Sequence, residues 1–167
     1  MFTITALIDQ YLSVKEVPLS ELQLVGVAAL YIAAKFEETY QVPQVKQLVA
    51  CCANQYSAAQ ITEKEADIIR ELNFELIINS SYKFFEPLCR VIGLEAKNQH
   101  LAQYVLELAL LQSKFLNYPP SLIASAVIYL IKKIRKSESS WNEVMTSMVG
   151  YKEAELKACA KDLCNLL

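Results

Sequence analysis

The sequence predicts an all-α protein made of two similar helical domains in tandem, on three observations. More than half of the 167 residues are apolar (54%), while glycine (3) and proline (5) are scarce, so a sizeable core forms in a chain with few turn signals. Apolar residues recur at three- and four-residue spacing almost throughout, and no convincing pair of alternating stretches suggests a sheet. The second half also rhymes with the first. In each, a proline-led apolar helix (Leu19–Glu38; Pro120–Arg135) is followed by a short helix, a turn, and a Tyr-x-x-x-x-[Ile/Leu] opening of an amphipathic helix (Tyr56 to Ile61; Tyr151 to Leu156). A repeat of roughly 95 residues is too long for a solenoid and suits a small domain.

The elements follow in order. Phe2 to Val14 carries Ile4, Leu7, Ile8, Tyr11 and Leu12 at helical spacing. Pro18 suits the start of the next helix, which runs to about Glu38. Its apolar residues lie nearly all round, so it should be enclosed by others. Gly26 with Ala28, Ala29, Ala33 and Ala34 should let neighbouring helices approach closely. Gln41 to Pro43 breaks the chain, and a short helix spans about Gln44 to Cys52. Ser57 is a candidate N-cap for Ala58 to Leu72. Asn73 to Ser80 reads as a non-helical linker, placing the first domain at 1–77 and the second at 78–167. In the second domain, Ser81 caps Tyr82 to Ile92, and Gly93 stops that helix. Ala96 to Ser113 is amphipathic, and Pro119-Pro120 opens a helix to about Arg135. A polar gap at 136–139 precedes a short helix from Trp141 to Met148, then Gly150 and a last helix from Lys152 to Leu166.

Composition excludes several function classes. The formal charge of −2, from 16 basic and 18 acidic side chains, is too balanced to attract a polyanion, so no nucleic acid is expected. The longest uncharged apolar runs, Leu24 to Ala34 and Leu122 to Ile131, fall short of the ~18–20 residues of a membrane span. No basic-then-apolar leader precedes the first helix, so an intracellular chain in a reducing compartment is expected. Five cysteines (Cys51, Cys52, Cys89, Cys159, Cys164) without a CxxC, and a lone His100, give neither a disulfide framework nor a metal site. Adjacent Cys51 and Cys52 read as buried thiols. There is no Gly-rich phosphate loop and no GxSxG, and Glu37 and Glu38 diverge by about 100° on consecutive helical positions. No catalytic residue and no cofactor are therefore expected.

The stretch Leu22-Gln23-Leu24-Val25-Gly26, continuing through Ala28 and Ala29 to Lys35-Phe36-Glu37-Glu38 and Tyr40, closely resembles the central helix of the cyclin box, in its mitotic A/B-like version. Ile8-Asp9-Gln10-Tyr11-Leu12-Ser13, the run from Leu72 to Leu76, and Pro119-Pro120-Ser121 with Ile123-Ala124 are similar to other cyclin positions. The resemblance covers essentially the whole chain. It departs in two places. The family's first helix, with M-R-x-I-L-x-x-W, has no counterpart, and its Y-P-P-E is here Tyr40-Gln41-Val42-Pro43-Gln44.

Lys35 alone is explained by the helix macrodipole, worth ~0.3–1 kcal/mol, and Phe36 alone by an ordinary core position. The resemblance implies more. It makes the chain a non-enzymatic regulatory subunit that binds and activates a cyclin-dependent protein kinase, controls cell-cycle progression, and resides in the nucleus or cytoplasm. Lys35 and Glu65 would pair at the kinase interface, and Ile32, Phe36, Ile69, Phe74 and Leu76 would line the surface that takes the kinase's regulatory helix. Gln23 would remain from a substrate-docking groove. Without the family's first helix, Asp9 would lack its arginine partner, and apolar surface on Leu7 and Tyr11 would be exposed for another chain to cover. The alternative is a cyclin-fold scaffold in a larger assembly that activates no kinase. A DNA-binding relative of the transcription factor IIB type shares the fold, but a pI near 5.5 argues against it.

Overall fold

A computed structural model of the chain describes residues 1–37, 41–135 and 141–167. Glu38, Tyr40 and the polar gap at 136–139 lie outside them. Among the described residues the fold is all helical: α1 (Phe2–Val14), α2 (Leu22–Glu37), α3 (Val45–Cys51), α4 (Ala58–Glu71), α5 (Ser81–Ile92), α6 (Ala96–Ala109), α7 (Pro120–Ile134), α8 (Glu143–Val149) and α9 (Glu153–Cys164), with short 3-10 turns at Leu19–Glu21 and Ser113–Asn117. The chain divides into two compact units, the first covering Thr3–Ile78 and the second Asn79–Leu167.

In the first unit, α2 packs on α4 and carries the core. Val25, Ala28, Ala29, Ile32 and Ala33 are buried with Leu7 and Tyr11 of α1, Ile68 of α4 and Ile78. A smaller cluster joins Leu24 to Leu48, Cys52, Tyr56 and Ile61. Burial of α2 is one-sided, because Leu22, Leu30 and Phe36 are exposed. The expectation that it is enclosed all round therefore fails. Nor does Gly26 mediate a close approach, since a Cβ built there meets nothing within 4 Å. Leu19–Glu37 is long and apolar enough to cross a membrane by length and composition, contrary to the count of uncharged residues alone. Six of its residues, Leu24, Val25, Ala28, Ala29, Ile32 and Ala33, are buried within this unit. Ser57 caps α4 as expected: its Oγ accepts from the Gln60 N–H at 3.2 Å, and the Gln60 side chain accepts from the Ser57 N–H at 2.8 Å.

Leu7 and Tyr11 are buried, correcting the expectation that they face outward. They sit one turn apart on α1, in the core cluster they share with α2 and with Ile68 of α4. The Tyr11 hydroxyl donates to Asp67 Oδ2 at 2.6 Å, and Lys15 Nζ reaches Asp67 Oδ1 at 2.7 Å and Glu71 Oε1 at 3.0 Å. Asp9 is on another face. Half-buried, it has no hydrogen-bond or ion-pair partner among the described residues.

In the second unit, α7 is the true central helix. Every residue from Leu122 to Ile131 is buried, packed by α5, α6 and α9. Helix α5 begins at Ser81 itself, with Ser80 as N-cap and no side-chain capping bond, so Ser81 is not the cap. Helix α6 ends at Ala109, earlier than Ser113, and the chain turns through Phe115, whose buried ring anchors the following 3-10 turn. Trp141 precedes α8 and is buried, its Nε1–H donating to the Tyr151 carbonyl at 2.9 Å. Asn142 is the cap that starts α8, accepting from the Met145 N–H at 2.9 Å.

Candidate protein-binding surface

Helix α2 ends in solvent with a lysine and an aromatic ring side by side. Lys35 and Phe36 are both exposed, Phe36 by 50%. From the adjacent helix α4, the Glu65 carboxylate pairs with Lys35 Nζ. Glu65 is itself buried at residue level, so Lys35 supplies a countercharge for a carboxylate drawn partly from water. The ammonium also stands 3.9 Å above the Tyr31 ring, one turn back on α2. Tyr31 thus belongs to the arrangement. The i, i+4 spacing from Tyr31 to Lys35 was visible in the sequence as a signal for it.

The other expected residues divide. Ile69, one turn after Glu65 on α4, is half-buried, as is Leu76. Phe74 is 73% exposed, and its neighbour Ile77, which the sequence reading did not single out, is 80% exposed. Ile32 is a correction: only 3% exposed, it lies in the core against Ala28, Ile68 and their neighbours and lines no surface. It points inward because it follows Val25, Ala28 and Ala29 along the buried stripe of α2. Phe74 is presented by its backbone. Asn73 and Phe74 both have positive φ (49° and 61°), and the Phe74 N–H donates to the Ile69 carbonyl at 2.9 Å, closing α4.

Gln23 is exposed at the other end of α2, its Oε1 accepting from the Tyr56 hydroxyl at 3.3 Å. Nearby, a cavity of about 440 Å³ is lined by Glu21, Leu24, Tyr56, Glu63, Lys64 and Asp67 among others. Lys64 bridges Glu21 there at 2.8 Å. Among the described residues no group of three His, Cys, Asp or Glu could hold a metal ion. Cys52, Cys89 and Cys159 are buried, but Cys51 is exposed, so the adjacent pair is not two buried thiols. Burial pushes the Cys89 thiol up to about 11 and Cys159 to about 12, which leaves both unreactive.

The exposed aromatic ring and the surface ion pair at the end of α2 make it a candidate protein-binding surface on a two-unit helical fold. Residues 1–77 match the cyclin N-terminal domain and residues 80–167 the cyclin C-terminal domain. The chain belongs to the cyclin family. It is 35% identical to Cyclin-B1-3 of Arabidopsis thaliana over 93% of this chain and 37% of that protein. It is 37% identical to Cyclin-A1-2 of Oryza sativa subsp. japonica over 95% of this chain and 34% of that protein. With the G2/mitotic-specific cyclin-B of Dictyostelium discoideum it shares 30% identity over 94% of this chain and 36% of that protein. It thus spans about a third of the length of these relatives. The solved structure of a viral cyclin from herpesvirus saimiri has the same fold, with a TM-score of 0.82 at 17% identity, covering 99% of this chain and 73% of that one.

Proposed function

We propose that the chain is the part of a regulatory subunit that binds and activates a cyclin-dependent protein kinase, and so controls progression through the cell cycle in the nucleus or cytoplasm. The observation that carries this reading is Lys35 paired with Glu65 at the protein surface, beside the exposed ring of Phe36. The pair offers ammonium N–H donors and carboxylate acceptors together. A partner's backbone N–H and C=O groups can both be satisfied there, by charge-assisted bonds that are stronger than neutral ones. On this reading the exposed Phe36, Phe74 and Ile77 supply the apolar contact, while the half-buried Ile69 and Leu76 pack against the unit's core.

Activation on this reading is positioning, not chemistry. A protein kinase needs its β3 lysine paired with a glutamate of its regulatory helix. A subunit that binds the helix-in state more tightly shifts the population toward it. Moving a 1:99 mixture to 99:1 takes ~5.5 kcal/mol of differential affinity. An interface of standard size with aromatic anchors can supply that.

The test is the double substitution Lys35→Ala with Glu65→Ala. Kinase co-purification and kinase activation should be lost, while helicity stays near that of the parent. A double variant that still binds and activates a kinase normally overturns the assignment. One observation favours a second role, scaffolding in a larger assembly. Asp9 is half-buried without a partner, and Leu12, one turn further along α1, is exposed. A cation-bearing apolar segment, from another chain or from elsewhere in the same protein, would complete that face.

A further inference from the structure

Three lysines among the described residues share one arrangement. Lys15, Lys35 and Lys133 each follow a tyrosine by four positions, namely Tyr11, Tyr31 and Tyr129. Each ammonium stands near that ring, 5.9 Å from the centroid at Tyr11, 3.9 Å at Tyr31 and 5.3 Å at Tyr129. Each also pairs with a carboxylate on the last helix of its own unit. Lys15 takes Asp67 and Glu71 of α4, Lys35 takes Glu65 of α4, and Lys133 takes Glu153 of α9.

The three differ in what the tyrosine holds. The Tyr11 hydroxyl donates to Asp67 at 2.6 Å and the Tyr129 hydroxyl to Glu153 at 2.9 Å, so in those two cases the tyrosine fixes the acid. Tyr31 makes no such bond to Glu65. It acts through its ring alone, and that ring is the closest of the three to its lysine. At 3.9 Å the ammonium is well inside the ~6 Å reach of cation–π attraction. A helical side chain leans back over the turn before it, which lays Lys35 along the ring of Tyr31.

The ring is itself supported. Tyr31 is half-buried and packs against the cluster of Leu24, Leu48, Cys52, Tyr56 and Ile61. Ile61 and Glu65 lie one turn apart on α4 and share a face. Lys35 is the loose member, its side chain 40% exposed against 11% for Glu65. A lysine carries its charge on a flexible four-carbon stem. Such a stem samples many rotamers unless a neighbour restrains it.

We propose that Tyr31 is a positioning residue: its ring holds the Lys35 ammonium against Glu65, so that the pair is already formed when a partner arrives. The consequence for a kinase rests on the function proposed above, whereas the ordering of Lys35 does not.

The test uses the 167-residue chain with Tyr31→Leu, Tyr31→Met as a second variant without a ring, and Tyr31→Phe as the conservative one. Lys35 is read from its ε-methylene signals in proton–carbon correlation spectra, assigned by their loss in Lys35→Ala. Protons over a ring face are shielded. In the parent and in Tyr31→Phe these signals should lie upfield of those of an exposed lysine such as Lys46. In Tyr31→Leu and Tyr31→Met they should move back to the exposed position. Affinity for a cyclin-dependent kinase, by calorimetric titration, should fall about fivefold in Tyr31→Leu, because one long side chain must then be ordered on binding. Tyr31→Phe should restore it. In a Lys35→Ala background Tyr31→Leu should change affinity by less than about twofold, since the group it positions is gone. The proposal is overturned by Lys35 signals that stay upfield in a folded variant without the ring, or by a Phe variant that behaves as the Leu variant does. It is also overturned by an equal loss of affinity with and without Lys35, which would make Tyr31 a direct contact or a core residue. The kinase reading is judged apart. If Lys35→Ala with Glu65→Ala leaves kinase binding intact, that reading fails, while the Lys35 signals still decide whether Tyr31 holds the pair.

Discussion

Phe36→Ala separates an anchor from a core residue by the size and place of its effect. Full burial of a phenylalanine side chain is worth ~1.5–3 kcal/mol in transfer from water, and a ring half out of water gains roughly half of that, about 1 kcal/mol. Phe36 is 50% exposed at the end of α2, so solvent fills the space the ring leaves and no closed cavity adds to the cost. The free variant should therefore lose about 1 kcal/mol and a few degrees of melting temperature. Loss of a central aromatic anchor from an interface costs about 2 kcal/mol or more, roughly thirtyfold in Kd. The assay pairs urea denaturation of the free protein with calorimetric titration of a cyclin-dependent kinase into parent and variant. A free-protein loss of ~3–5 kcal/mol, the range for a core phenylalanine, together with unchanged kinase affinity, would refute the reasoning.

Two further predictions concern α1. Tyr11→Phe removes a hydroxyl that donates to Asp67 and should cost about 1–2 kcal/mol near neutral pH. Burial pushes the Asp67 carboxyl up, but hydrogen bonds from Lys15 and Tyr11 outweigh it and hold it below the ordinary range. That contribution is present above pH ~4 and is lost as pH falls through the lowered value, so the gap between Tyr11→Phe and parent should narrow in acid denaturation series. Burial, then Asp67, pushes Tyr11 up to about 12. The parent's advantage is therefore complete below pH ~10 and fades as pH rises toward that value. Asp9→Asn should cost nothing at pH 7, because burial raises the Asp9 carboxyl without a partner to offset it. A raised acid favours folding in its neutral form and opposes it once ionised. Urea midpoints of the Asn variant should therefore equal or exceed the parent's at pH 7, and the difference should vanish at low pH. A marked loss at pH 7 would reveal a partner for Asp9.

The fold was legible because burial follows periodicity, and the two central helices announce themselves by their apolar runs. Their degree of enclosure did not. Leu122 to Ile131 and Leu24 to Ala34 look alike in sequence, yet α7 is covered on all sides and α2 on one. The difference lies in how many helices pack around each, which no local pattern encodes. Ile32 at the surface and Leu7 and Tyr11 on an open face followed from the resemblance, and spacing could not correct them, because it shows which residues share a stripe and not which stripe points inward. Caps were legible where the side chain commits to the backbone, as at Ser57. They were less so at Ser80-Ser81, where either serine suits the start and neither side chain makes the capping bond. The pairing of Lys35 with Glu65 came from resemblance, since the two are 30 positions apart. Tyr31 beneath Lys35 needed only the i, i+4 rule.

The left-handed turn at Asn73 and Phe74 has a consequence for the rate and strength of association. A bulky side chain in that backbone region carries a local cost of ~1–2 kcal/mol, which a glycine would avoid. The strained turn holds the Phe74 ring outward in the isolated protein, with its N–H already tied to the Ile69 carbonyl. The ordering of this segment then takes place during folding and not during encounter. If Phe74 contacts the partner as proposed above, that partner meets a turn already ordered, and more of the contact energy appears as affinity. Relaxing the turn would make the free protein more stable and the bound state weaker, and the same two residues would set both signs.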